Sequence, residues 1–105
     1  MSEVENTLKE RGSKYGVFKV HADITQSLKC IMNGYTRFEH ETDAQNAIRR
    51  GKFNSLTADK QEALDMIAHK IGRILNGDPE YRDSWIDIAG YAQLVADTLK
   101  KDTPS

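Results

Sequence analysis

Along the chain the apolar positions fall into three helical stripes separated by polar stretches. Val17, Val20, Ile24, Leu28 and Ile31 recur at steps of three, four, four and three, which gathers all five on one side of a 3.6-period helix. The stripe predicts a helix that stops at Asn33-Gly34, two residues that accept the left-handed conformation ending many helices. A second stripe, Leu64, Ile67, Ala68, Ile71, Ile74 and Leu75, follows Thr57 as N-cap and closes at Asn76-Gly77. Asp59 and Glu62 lie early in that helix, where the positive end of its dipole favours them. The third stripe is Trp85, Ile88, Ala89, Ala92, Val95, Ala96 and Leu99, with Asp78 as N-cap, Pro79 at the first helical position and an end near Lys100 or Lys101. Two long helices joined by so short a turn must pack antiparallel.

The remaining segments are less regular. Residues 1–12 are polar, with Val4 and Leu8 at helical spacing before Gly12, and predict a short N-terminal helix. Residues 33–56 keep no period and read as a loop-rich insertion, in which Thr42 or Asp43 caps a short helix over 43–50 with Gly51 as its stop. Tyr35, Phe38 and Phe53 are the side chains available to pin that insertion down. The expected architecture is a single all-α domain over residues 1–105: an antiparallel hairpin, 57–76 and 79–100, covered by the helix near 17–32. Met66 on one hairpin helix and Ile86, Gly90 and Leu94 on the other are apolar second faces, so a helical bundle completed by homo-oligomerisation is expected.

Composition narrows the function classes. One hundred and five residues leave room for one core, and 38% apolar residues with only two prolines suit helices. Fifteen Lys and Arg against sixteen Asp and Glu give a net charge of -1, so no global field draws the chain to nucleic acid or anionic lipid. Arg49, Arg50 and Lys52 form a basic run too short to change that reading. No apolar run approaches the roughly 20 residues of a membrane span, and the N-terminus lacks a signal-peptide core, so a cytoplasmic protein is expected. The single cysteine, Cys30, has no partner for a disulfide or a thiol-metal motif and reads as a packing residue.

The candidate chemistry lies in the hairpin. Glu62 and Asp65 are three apart on its first helix, and Asp83 and Asp87 four apart on its second, so each pair shares one side of its helix. Such pairs on facing helices can supply oxygen ligands to Mg²⁺ or Mn²⁺, and a metal-activated water could then open a bridged triphosphate. The alternative is that helix-dipole preference alone places these acids. Lys70 and Arg73 are positioned to hold phosphate or to line a solvated salt-bridge face. His69, one turn from Asp65, tunes that carboxylate or pairs with it. Tyr91 offers a ring for stacking and Trp85 reads as a core anchor, while Arg11, Lys14 and Tyr15 before Gly16 form a basic-aromatic turn able to receive a base or phosphate.

Three stretches carry a resemblance. Residues 62–71 (Glu62-Ala63-Leu64-Asp65-Met66-Ile67-Ala68-His69-Lys70-Ile71), residues 73–79 (Arg73-Ile74-Leu75-Asn76-Gly77-Asp78-Pro79) and residues 82–91 (Arg82-Asp83-Ser84-Trp85-Ile86-Asp87-Ile88-Ala89-Gly90-Tyr91) look like a family of small phage and prophage proteins. The opening Arg11-Gly12-Ser13-Lys14-Tyr15-Gly16-Val17-Phe18 fits the same family, and residues 33–55 look longer than in its members. More loosely, the chain resembles the all-α MazG-type nucleoside triphosphate pyrophosphohydrolases. Those enzymes hold Mg²⁺ with Glu-x-x-Glu on one helix and Glu-x-x-Asp on a later one, and release pyrophosphate. The resemblance implies that Glu62 and Asp65 stand for the first motif and Asp87 for the last aspartate of the second, as metal ligands and catalytic residues with Asp83 beside them. Ser84 departs from the pattern, since it occupies the expected glutamate position. Two functions are therefore expected: an Mg²⁺-dependent pyrophosphohydrolase, or a non-catalytic phage accessory protein that binds a nucleotide or a host protein, in either case in the host cytoplasm if phage-encoded.

Overall fold

Helices form where the apolar periods place them, with the ends shifted by local polar chemistry. The structure, a computed structural model that describes residues 2–6 and 16–99, is all-helical among those residues. After a single turn over residues 3–6 come α1 (Phe18–Met32), α2 (Asp43–Asn54), α3 (Ala58–Asn76) and α4 (Arg82–Ala96). The rest of the expected N-terminal helix, residues 7–12, lies outside the described residues. None of the described helices is long and apolar enough to cross a membrane.

Three expectations need correction. The helix within the 33–56 segment does not stop at Gly51: at its start Thr42 Oγ1 accepts from the Gln45 backbone N–H at 3.1 Å and Gln45 Oε1 accepts from the Thr42 N–H at 2.8 Å. This reciprocal capping box starts α2, which runs through Gly51 to Asn54. Glycine there costs the helix about 1 kcal/mol, which the capping box offsets. Next, α4 begins at Arg82 rather than Pro79. Asp78 Oδ1 accepts from the Glu80 N–H at 2.9 Å, closing a turn that delays the helix by three residues. Thirdly, Thr57 holds the N-cap position of α3 but turns its hydroxyl to Asp59 instead of to the backbone.

Arg49 fastens α2 and the preceding loop to α1. Its guanidinium donates to both Glu41 carboxylate oxygens (2.7 and 3.1 Å), to the Thr36 carbonyl (2.6 Å) and to the Ile31 carbonyl, and it lies 4.6 Å above the Phe38 ring. The Arg49 hydrogen bond holds the Glu41 carboxyl below its usual range. Asn46, buried, donates to the Gly34 carbonyl at 2.9 Å. Phe38 thus serves as expected, whereas Tyr35 stands out in solvent.

The main architecture is a row. On α3, Lys70 and Gly72 point about 200° apart at 100° per residue. Lys70 reaches α4, where its Nζ meets Asp87 Oδ2 at 2.8 Å, and Gly72 lies against His21 and Thr25 of α1. Helices α1 and α4 therefore flank α3 on opposite sides, both antiparallel to it. The outer dimensions are 53 × 41 × 22 Å, and the radius of gyration is 16.9 Å. A compact chain of this length would have about 13 Å. Ala63 and Ala68 are the only fully buried apolar side chains among the described residues, because a middle helix approached from both flanks admits only small ones there.

The row has two unlike faces. Counting 100° per residue on antiparallel neighbours places Lys29 of α1, Glu62, Met66 and Arg73 of α3, and Asp83, Asp87 and Leu94 of α4 on one face. Val17, Val20 and Ile31, then Leu64, Ile71 and Leu75, then Trp85, Ala92, Ala96 and Leu99 share the other. The line of α4 that meets α3 is Ser84, Ile88, Tyr91 and Val95, so the expected core stripe is displaced. Trp85, expected as a core anchor, is 54% exposed and donates its indole N–H to the Pro79 carbonyl at 2.9 Å.

The junction of α1 with the end of α3 depends on Gly16, whose φ is +80° and where a Cβ would lie 2.0 Å from the Asn76 carbonyl oxygen. Asn76 Nδ2 donates to the Val17 carbonyl at 2.9 Å across the same joint. Gly16→Ala is expected to cost about 2 kcal/mol or more, since it adds both a strained φ and a backbone clash. Thermal melting of the variant beside the parent chain measures it.

Candidate functional site

Two polar constellations lie along the seams of α3. At the α3–α4 seam, Lys70 is only 8% exposed, so its ammonium needs a partner, and Asp87 supplies one at 2.8 Å. Beside this pair, Ile86, Asp87, Gly90, Tyr91, Gln93 and Leu94 line an open groove of about 570 Å³. The groove thus brings together Asp87 and Tyr91, and Lys70 is tied to it through Asp87, so three of the residues singled out from the sequence lie in one neighbourhood. No side chain fills the space above Gly90, which keeps the groove floor low.

The other sequence candidates are more scattered. Glu62 is exposed on α3, Asp65 is half-buried toward α1, and Asp83 is exposed in the first turn of α4. Among the described residues no group of three or more His, Cys, Asp or Glu side chains is placed to hold a metal ion. Glu62, Asp83 and Asp87 share a face, with Asp65 at its edge, without forming a group placed to hold a metal ion, and Asp87 already carries a lysine. Mg²⁺ takes several oxygen ligands in close octahedral order, and among the described residues these four carboxylates are not grouped to supply them. Arg73 sits on the same face nearer α1, and Lys14 and Tyr15 lie outside the described residues.

The α1–α3 seam holds a cluster that the spacing did not reveal. Thr25, 1% exposed, has its Oγ1 3.4 Å from His21 Nε2, and the His21 and His69 ring centroids are 5.8 Å apart. Phe18 stacks on His21 at 6.3 Å. Gly72 makes this approach possible: a Cβ there would stand 2.8 Å from Thr25 Oγ1 and 3.0 Å from His21 Nδ1. His21 Nδ1 is buried and has no hydrogen-bond partner. Burial lowers the His21 pKa, the Arg73 charge lowers it further, and the Gly72 backbone opposes them. For His69, burial again leads, Lys29, His21 and Arg73 add to the lowering, and Asp65 opposes. Both imidazoles are therefore neutral at neutral pH. The one available signal was the i, i+4 pair His21 and Thr25 beside the apolar stripe, too common a pattern to single out.

Two outcomes follow from these seams. The unfolded chain, with histidine near 6.5, takes up protons before the folded one, so the histidine contribution is complete above that value and is lost as pH falls through the lower folded values. The urea midpoint is expected to drop between about pH 7.5 and about pH 5.5, and His69→Gln to flatten that slope. For the ion pair, Asp87→Ala strands a buried ammonium and is expected to cost about 1–2 kcal/mol, discounted because Asp87 itself is 45% exposed. Lys70→Met leaves only a half-exposed carboxylate and should cost less, so urea unfolding of the two variants gives unequal losses.

Comparison with known proteins places the chain in one family. The family described as Domain of unknown function (DUF6378) matches residues 1–99. No curated protein and no solved structure matches. Since the match spans nearly the entire sequence, the chain belongs to the DUF6378 family.

Proposed function

We propose that the protein is a non-catalytic, phage-type accessory protein that binds a nucleotide on its polar face, in the groove beside Lys70. The observation that carries this reading is the Lys70–Asp87 pair at 2.8 Å. A lysine ammonium occupies the carboxylate that a hydrolase of the MazG type would give to its metal, and Ser84 stands where such an enzyme would have a second acid. What the groove offers is recognition: Tyr91 for a base and apolar Ile86 and Leu94 beside it, with the cationic Arg73 on the same face of the row for phosphate. Tyr91 is the residue on which binding rests.

A second reading, an Mg²⁺-dependent nucleoside triphosphate pyrophosphohydrolase, is favoured by one observation: Glu62, Asp83 and Asp87 lie on a common face of the α3–α4 hairpin, with Asp65 at its edge. A screen of common NTPs and dNTPs, with and without Mg²⁺ or Mn²⁺, separates the two. Binding without turnover should stabilise the fold by about 2.7 kcal/mol at a hundredfold excess over Kd, and Tyr91→Ala should remove most of the thermal shift. Metal-dependent pyrophosphate release that disappears in the Asp65→Ala/Asp87→Ala variant would establish the hydrolase instead. No response to any nucleotide would leave a host protein as the ligand.

A further inference from the structure

The face opposite the groove is the least satisfied part of the molecule. Val17, Val20 and Ile31 of the α1 side, Leu64 and Leu75 of α3, and Trp85 and Leu99 of the α4 side are all more than one-third exposed on it. Along α4 the intervening positions are Ala89, Ala92 and Ala96, so that line carries no charge from Trp85 to Leu99. A single row of helices buries only the flanks that touch; stable domains place a second layer over the apolar face. Helix α4 makes the need acute, because its uncharged line from Trp85 to Leu99 is turned away from α3, which packs against only one of its sides.

We infer that this apolar face is covered by a second copy of the chain, the two rows packing face to face about a two-fold axis. The area fits such a partner. The chain exposes 7944 Å², whereas a compact monomer of its mass exposes about 6,000 Å². Seven large apolar side chains, each more than one-third exposed on this one face, are on the scale of the roughly 800 Å² per partner of a standard stable interface. A face of this kind is self-complementary, as a two-fold contact requires, and the net charge of -1 sets up little repulsion between copies. A lipid surface is the poorer occupant, because α4 carries Asp83 and Asp87, with Asp97 as its C-cap, against a single Arg82 where a membrane-surface helix carries Lys and Arg. The association is independent of the nucleotide reading, since the groove lies on the other face.

Sedimentation equilibrium and thermal melting of the full chain from about 1 to about 300 µM test it. The expected result is a mass twice the 11.9 kDa of the chain and a melting temperature that climbs with concentration. Leu75→Glu should weaken association about tenfold or more. Leu75 is 69% exposed in the single chain, so a charge there is tolerated by the isolated fold. Leu94→Glu, similarly exposed on the groove side, should leave association unchanged. If Leu75→Glu fails to fold, the mass and concentration dependence of the parent chain decide. A parent chain that stays at 11.9 kDa with a constant melting temperature overturns the inference, whether or not it floats with phosphatidylcholine vesicles. Dissociation by Leu94→Glu in place of Leu75→Glu overturns it as well.

Discussion

The close approach of α1 to α3 at Gly72 is the contact on which the arrangement turns. With hydrogen in place of a side chain, α3 lets His21 and Thr25 settle against its backbone. That fixes α1 on one flank and leaves the opposite flank for α4. Every later feature follows from a middle helix engaged on two sides. Its fully buried apolar positions shrink to Ala63 and Ala68, its polar side chains sort into two seams, and its larger apolar side chains are turned out of the row. A bulkier residue at position 72 would push α1 away and dissolve the histidine seam with it.

The two seams use polar chemistry in different ways. At α3–α4 a charged lysine is retained by a carboxylate in a half-open setting, where an ion pair is held mainly because each partner would be worse off alone. At α1–α3 the polar groups are neutral, kept so by burial and by the cations Lys29 and Arg73 nearby. One seam is therefore sensitive chiefly to the loss of a partner and the other to the gain of a proton.

Helix existence was legible in the sequence, and helix environment was not. The Val17–Ile31 and Leu64–Leu75 periods mark α1 and α3 because amphipathic spacing survives whatever the partner is. The same spacing on Trp85, Ala92 and Leu99 suggested a core, but periodicity reports only that a face is apolar, not which neighbour covers it. Thr42 was read as a possible cap, yet the reach of α2 past Gly51 rested on the reciprocal Gln45 bond, which a breaker-based reading of glycine overlooks. For the candidate site, Asp87, Lys70 and Tyr91 do come together because they lie on or beside the facing lines of two helices joined by a short turn. The convergence of four carboxylates was not decided by spacing, since residues that share a face can still be distant along it.

Val17 and Asn76 touch across 59 positions of chain, and α2 hangs inside the loop that this contact closes. The hairpin of α3 and α4 is local and costs little closure entropy, whereas α1 must find its place over a long excursion. Closure entropy grows only logarithmically, about 0.6 kcal/mol for each doubling of loop length. The α2 segment is also secured by its own clamp of Arg49, Glu41 and Phe38 rather than by α4. It is thus a pendant that inheritance can lengthen, shorten or exchange at small energetic expense, while the row of helices behind it stays as it is.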